Sequence, residues 1–388
     1  MATSVLKSKA NSTASSSANI AVVGAGLIGR LIAWQLAKQG QQVTLFDRDQ
    51  GNGEQSAAYA AGGLLAPLSE ALKCEANMVA MGHDALKLWP QLLAQLTKPV
   101  FFQQNGTLIV THQQDNGDFN HFSRYIADNY SNYSQQAVNY GALAKLEPEL
   151  ANKFQQGLFL PDEAQLDNRQ LLQALATELK QLENVKWRDN SEVISLKPHS
   201  VELVTGNEQF ELVVDCRGTG AKGQQTGQLS NLRAVRGELI HLHAPEVKLK
   251  RSIRLTHPRY QIYIAPKADN RYIIGATEIE SDSLAPVTVR SSLELLSAAY
   301  SVHSGFAEAN IIDQISQCRP AFSDNQPRIN HQPGLVQVNG LFRHGFMLAP
   351  VILEHALAVI NQDSSEQNIR YPELVSEHHV QSQQITAD

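Results

Sequence analysis

Cysteine is scarce in this 388-residue chain, which has three, at Cys74, Cys216 and Cys318. They lie far apart, form no CxxC pair and are odd in number. Neither a disulfide framework nor a zinc site is expected, and a reducing cytoplasm fits best. Each reads as a small buried hydrophobe. No apolar run approaches the roughly 18 residues of a membrane span. There is no excess of basic charge, since 32 Lys and Arg stand against 38 Asp and Glu for a net charge of −6. The basic face of a nucleic-acid binder is therefore missing, and no nucleic-acid partner is expected. The mild acidity serves solubility and points to no particular partner. Thirteen histidines include no HExxH spacing, and GxSxG is absent, so zinc-hydrolase and serine-hydrolase chemistry have no support. Residues 1–18 are rich in Ser, Ala, Thr and Asn. Their apolar pair Val5-Leu6 is too short for the core of about 7–15 residues that a signal peptide needs. A flexible tail is expected there.

What is present is enough apolar side chain, 43%, for a full core, and a length that suggests two domains or one large one. From Asn19 the character changes. Ile20-Ala21-Val22-Val23 is a continuous apolar run, as a buried parallel strand requires. Gly24-Ala25-Gly26-Leu27-Ile28-Gly29 follows, then Leu31, Ile32, Leu36 and Ala37 at helical spacing, with Gly40 as a stop. Val43 to Phe46 form a second buried strand that ends at Asp47-Arg48. Gly24 allows a tight turn, Gly26 lets a pyrophosphate approach the backbone, and Gly29 lets the helix pack closely on the sheet. The helix N-terminus attracts phosphate, and the acid of Asp47 can accept from ribose hydroxyls. The pattern indicates dinucleotide binding, with NAD and FAD both open at this point.

Two features favour FAD. The motif lies near the chain start with most of the chain still to come. The run Gln55 to Pro67 is also made of tiny side chains, Ala57, Ala58, Gly62 and Gly63 before Leu64, over which backbone could lie close to a large flat cofactor. Further on, Asp84–Leu96 reads as a helix, 100–102 and 106–110 as strands, 161–168 as a loop and 169–181 as a helix. Residues 185–187 and 192–194 read as short strands, and Phe210–Val214 as a strand entering a second glycine-spaced turn, Asp215-Cys216-Arg217-Gly218-Thr219-Gly220. Residues 233–280 alternate with period two, as antiparallel strands with one wet face do, with a hairpin turn at Ala268-Asp269-Asn270. The last helix runs from Gly345 to about Ile360, with Pro350 near its start. His378-His379 lies in a polar tail and reads as surface.

Nine pieces in order, IAVVGAGLIG, LFDRD, SAAYAAGGLLAP, LDNRQLLQAL, VVDCRGTGA, VRGELI, YIAPKADNRYIIGAT, CRPAFSDNQPRI and GLFRHGFMLAP, resemble the D-amino acid oxidase superfamily of flavoproteins, and within it the glycine oxidases of the thiamine pathway. The resemblance spans about Ile20 to Ile360. It implies an α/β fold, an FAD-binding Rossmann-like domain joined to an antiparallel-sheet substrate domain. The expected division is residues 19–83, 161–232 and 310–363 for the FAD-binding domain and 84–160 and 233–309 for the substrate domain, with tails at 1–18 and 364–388.

By resemblance, Arg319 binds a substrate carboxylate, Tyr263 helps it, and Arg343 is a second arginine near flavin and substrate. An arginine fork suits a carboxylate because it is planar and bidentate. The resemblance places the Val193 backbone at the adenine, Gly218 over the flavin nucleotide, and Leu341, Phe342, Arg343, His344, Gly345, Phe346 and Met347 along the flavin. It leaves Arg217 without a role. The N-terminus of the last helix would face the flavin edge where negative charge gathers on reduction. The implied reaction is hydride transfer from a small amino acid or amine to flavin N5, with O2 as final acceptor. It needs alignment more than a protein base; His344 is the nearby weak candidate. Glu278 could repel acidic substrates, favour a cationic group or be a plain exposed charge. Open alternatives are a dehydrogenase using another acceptor, an enzyme acting on an amine within a macromolecule, and a flavoprotein that matures another enzyme. The preferred amine and the choice between monomer and homo-oligomer are not readable from the chain.

Overall fold

The computed structural model describes residues 17–223, 231–256, 262–362 and 369–377. Most of the expected N-terminal tail, part of the C-terminal one and His378-His379 lie outside the described residues. The first strand, Asn19–Val23, sits inside a seven-stranded sheet between Gln42–Phe46 and Leu212–Asp215, parallel to both. Val185–Arg188 extends one side and Leu335–Asn339 the other, again in parallel. Arg328–Gln332 and Val375–Glu377 complete it, with one antiparallel pairing between Arg328–Gln332 and Leu335–Asn339.

The continuous apolar run of the first strand has a direct cause: both faces of this sheet are covered. Ile20 and Val22 face a core made by the helices Leu27–Lys38, Ala76–Leu93, Asn168–Gln181 and Gly345–Ile360. Ala21 and Val23 face a three-stranded antiparallel sheet, Val193–Lys197, Ser200–Leu203 and Gly206–Gln209.

The second large sheet has nine strands. Arg233–His243 pairs along its whole length with Asn310–Ala321, and on its other side with Arg271–Gly275. Ile262–Pro266 and Ser252–Thr256 follow, then Thr107–Thr111, Gln156–Leu160 and Gln136–Asn139, and the short strand Ile279–Glu280 pairs with Arg233–His243 at Arg236. The hairpin at Ala268–Asn270 forms as expected, with Asp269 and Asn270 at φ of 60° and 54°, as a tight two-residue turn requires. A small sheet of Leu64–Leu65, Ala164–Leu166 and Phe102–Gln103 joins the two halves.

Several expectations need correction. The second sheet is mixed, because Ser252–Thr256 runs parallel to Thr107–Thr111. The helix expected at Asp84–Leu96 begins at Ala76 and ends at Leu93. Its Met81, Ala85 and Trp89 pack in the core of the first sheet rather than with the second. Residues 310–321, expected with the FAD-binding half, are the longest strand of the second sheet. Residues 164–166 are strand where a loop was expected, since both flanking strands are only two residues long and leave no periodicity to read. The helices Asn116–Asn129 and Val289–Val302 had no expectation. The first buries only Phe119, Phe122 and Ile126 amid Asn, Gly and Asp, which depresses its helical signal.

Candidate active site

One elongated cavity runs from the first glycine turn to the underside of the second sheet. Its lining includes Gly24, Gly26, Asp47, Val193 and Gly218 toward one end and Gly62, Tyr263, Arg319 and Arg343 toward the other. Apart from Gly29, every residue expected to touch cofactor or substrate lines it.

The nucleotide end is built of backbone. Gly24 has φ +98°, and a Cβ there would lie 2.6 Å from the Cys216 carbonyl oxygen. A Cβ on Gly29 would lie 1.8 Å from the Gly24 oxygen, so this glycine serves packing and not contact with the cavity. A Cβ on Gly26 would have its nearest neighbour 3.8 Å away, so this side stays open. Gly26 is the N-cap of the helix Leu27–Lys38, and no side chain caps that helix. Its leading N–H groups and partial positive charge are thus free to meet an anion. The Asp47 carboxylate accepts from the Ala25 N–H, and from the Asp49 N–H at 2.7 Å. Arg48 lies exposed at the rim. Asn168 donates to the carbonyls of Ala58 and Tyr59 at 2.8 and 2.9 Å and so fixes the small-residue run.

Arg217, which had no role from sequence, forms a two-point pair with Asp215. Its Nε and one terminal nitrogen each lie 2.9 Å from a carboxylate oxygen. With Asp215 only 1% exposed, the pair is a fastening of the second glycine turn. In that turn Gly218 has φ +55°.

The substrate end is built of charged side chains. Arg319 projects from Asn310–Ala321 and donates to the Thr277 carbonyl at 3.2 Å. Its guanidinium crosses the neighbouring strand at Gly237, where a Cβ would lie 2.1 Å from it. Tyr263 is wedged between two more glycines; a Cβ on Gly62 or Gly275 would lie 2.6 or 2.5 Å from its hydroxyl. Burial pushes the Tyr263 hydroxyl pKa up, partly opposed by Arg319, so it stays a donor.

Arg343 is not a free clamp. Its Nε lies 2.9 Å from Glu70 Oε2, and another of its nitrogens 2.7 Å from Glu278 Oε2. Glu70 in turn holds Arg254 at 2.5 Å. Burial pushes the Glu70 carboxyl up, but Arg254 and Arg343 together outweigh it and hold the group ionised, well below the usual range. Arg343 is correspondingly kept charged.

His344 is 1% exposed and is the N-cap of the last helix, which no side chain caps. Burial, and then the nearby arginines, lower its pKa to about 4. It is neutral near pH 7, and its Nε2 has no hydrogen-bond partner among the described residues.

Glu70 and Arg254 were missed by sequence reasoning. Arg254 carried one usable signal, a charge inside a buried strand where all of Ser252 to Leu255 are enclosed. Glu70, in a single 3-10 turn, carried none.

The sequence model for FAD-dependent oxidoreductases of the DAO type matches residues 19–356. The chain belongs to this FAD-dependent oxidoreductase family. It is 39% identical over 333 residues to a Rhizobium etli protein named as a thiamine biosynthesis oxidoreductase, covering 86% of this chain and 93% of that one. Among solved structures, a glycine oxidase from Geobacillus kaustophilus superposes with a TM-score of 0.78 at 23% identity, covering 90% of this chain and 95% of that one. An iminodiacetate oxidase from Chelativorans sp. BNC1 superposes with a TM-score of 0.75 at 22% identity, covering 92% and 99%. At these identities the structural likeness is one of fold.

The residues fit FAD. Two uncapped helix N-termini open onto one continuous cavity, at Gly26 and at Gly345. The first suits a pyrophosphate and the second the electron-accepting edge of a flavin. The unpartnered Nε2 of His344, buried beside the second, is a polar atom that a bound group would satisfy.

Proposed function

We propose that this enzyme oxidises the carbon–nitrogen bond of a small amino acid, such as glycine, sarcosine or a small D-amino acid. The observation that carries the reading is Arg319, a half-buried guanidinium with one backbone partner and no ion pair among the described residues, in the same cavity as Tyr263 and the last helix N-terminus. An unpaired arginine in a largely enclosed space calls for an anionic ligand, and a carboxylate matches its planar fork.

FAD supplies the hydride acceptor. Arg319 receives the substrate carboxylate, and the protonated Tyr263 hydroxyl donates to the same group. The substrate amine must give up its proton before hydride leaves the α-carbon. His344, with its pKa lowered to about 4, is a neutral neighbour at working pH and not an acid. The Arg254–Glu70–Arg343–Glu278 chain of ion pairs leaves the wall of the site internally balanced in charge. The imine product takes up water to give an oxo acid and ammonia, or methylamine where the substrate is sarcosine. Dioxygen, accepting the two electrons and two protons, gives hydrogen peroxide. The name of the Rhizobium etli relative supports a place in thiamine biosynthesis. The free state of all three cysteines supports the cytoplasm.

The test is anaerobic addition of glycine, sarcosine and D-alanine to the purified yellow protein. Bleaching of the flavin bands by one of them supports the assignment; no bleaching by any of the three sinks it. Readmitted air restoring colour with peroxide identifies an oxidase, whereas an enzyme that stays reduced in air uses another acceptor.

A further inference from the structure

The charges at the substrate end do not divide evenly. Arg254, Glu70, Arg343 and Glu278 form one unbroken chain of ion pairs, with contacts of 2.5, 2.9 and 2.7 Å in that order. All four line the cavity. Two cations and two anions cancel. Arg319 lines the same cavity outside that chain, with only the Thr277 carbonyl as hydrogen-bond partner among the described residues. Lys73, the other cation within electrostatic reach, is exposed and outside the lining; Glu163, near Arg254, is also outside the lining, accepts from Ser69 and is pushed toward its neutral form by burial. The substrate end therefore presents one net positive charge, which matches one carboxylate.

Glu278 makes that balance. It is the outermost member of the chain, its side chain 39% exposed against 15% for Arg343. Glu70 grips Arg343 from the buried side, at Nε and, at 3.3 Å, one terminal nitrogen; Glu278 takes the other. We propose that Glu278 restricts the site to substrates with a single carboxylate, by occupying the face of Arg343 that a second carboxylate would need. A dicarboxylate would find Arg343 taken and a carboxylate in its way, and like charges at short range disfavour binding. Removing the Glu278 charge leaves Arg343 fixed by Glu70, open on one side, and raises the net charge of the pocket from one to two. The inference deepens the small-amino-acid reading and rests on it.

The test uses the FAD-loaded full chain and two anions that cannot be oxidised, acetate and malonate. Binding is read from the perturbation of the visible flavin bands. In the wild-type protein malonate should bind no more tightly than acetate. In Glu278→Gln the preference for malonate over acetate should rise by about tenfold, the scale of one added charge-assisted contact. Glu278→Ala provides a second removal of the charge, should the first variant not retain flavin. Oxidation of D-aspartate or iminodiacetate, relative to glycine, should rise in the same variants. A wild-type protein that already prefers malonate, or a preference unchanged in both variants, overturns the role of Glu278. If such variants shift as expected while glycine, sarcosine and D-alanine never reduce the flavin, the substrate reading fails and the anion selectivity stands.

Discussion

The two ends of the cavity are made of different material. At the nucleotide end the contacts come from backbone: the turn at Gly24 and the open N-cap at Gly26, with Gly29 packed tightly behind them. Here one short run, Gly24 to Gly29, writes the site. At the substrate end the groups are side chains brought from both halves of the chain: Arg254, Tyr263 and Arg319 on strands of the second sheet, and Glu70, Glu278 and Arg343 from segments outside the sheets. Glycine serves both ends, but differently. At the first it frees backbone for a ligand; at the second, Gly62, Gly237 and Gly275 clear room for the Tyr263 ring and the Arg319 fork. The difference teaches that binding of the cofactor and choice of substrate should be separable by mutation.

The largest effect should come at the nucleotide end. Gly29→Ala would put a methyl carbon 1.8 Å from a backbone oxygen that cannot swing away. The expected product lacks flavin or fails to fold, as judged by the absorbance of the purified protein. A yellow, stable Gly29→Ala protein would break the account of that turn. A smaller effect is expected from Gly237→Ala, which displaces the Arg319 guanidinium and leaves the nucleotide end alone. KM for glycine should rise by about 10- to 100-fold, the scale of a weakened charge-assisted contact, with flavin retained. An unchanged KM would mean that Arg319 does not need that notch.

The smallest effect is on stability. His83, His241 and His344 are all buried, and burial lowers each to a pKa of about 4 from an ordinary 6.5. A depressed folded-state pKa gives stability that is complete above about 6.5 and is withdrawn as pH falls toward 4. Tm should therefore decline from pH 7 to pH 5, by about 1.4 kcal/mol of stability per pH unit for each histidine at most. His241→Gln, outside the cavity lining, should make that decline shallower. An identical slope in the variant would show that this histidine does not stay neutral.

The same contrast explains what the sequence could reveal. The strand, turn and helix from Asn19 to Lys38 were legible because local chemistry alone dictates them: a run buried on both faces, three glycines with separate steric duties, and an apolar period of 3.6. The hairpin at Asp269-Asn270 was legible for the same reason. Arg319, Tyr263 and Arg343 were visible only through the family resemblance, since nothing local marks an arginine that will end up without an anion. Resemblance alone also could not show that Arg343 is already held by Glu70 and Glu278. The pairing of Asn310–Ala321 into the second sheet was not legible, because its partner, Arg233–His243, lies far upstream in the chain and leaves no local mark on it.

The most direct test of the separation is Arg319→Met, with bound flavin and anaerobic reduction by glycine measured on the same sample. The account predicts a full complement of FAD and a rate of flavin reduction, at low glycine, lower by roughly 100- to 1000-fold, the loss of a two-point charged clamp. A variant that loses FAD while its remaining holoenzyme reduces normally, or one that reduces as fast as wild type, would contradict it.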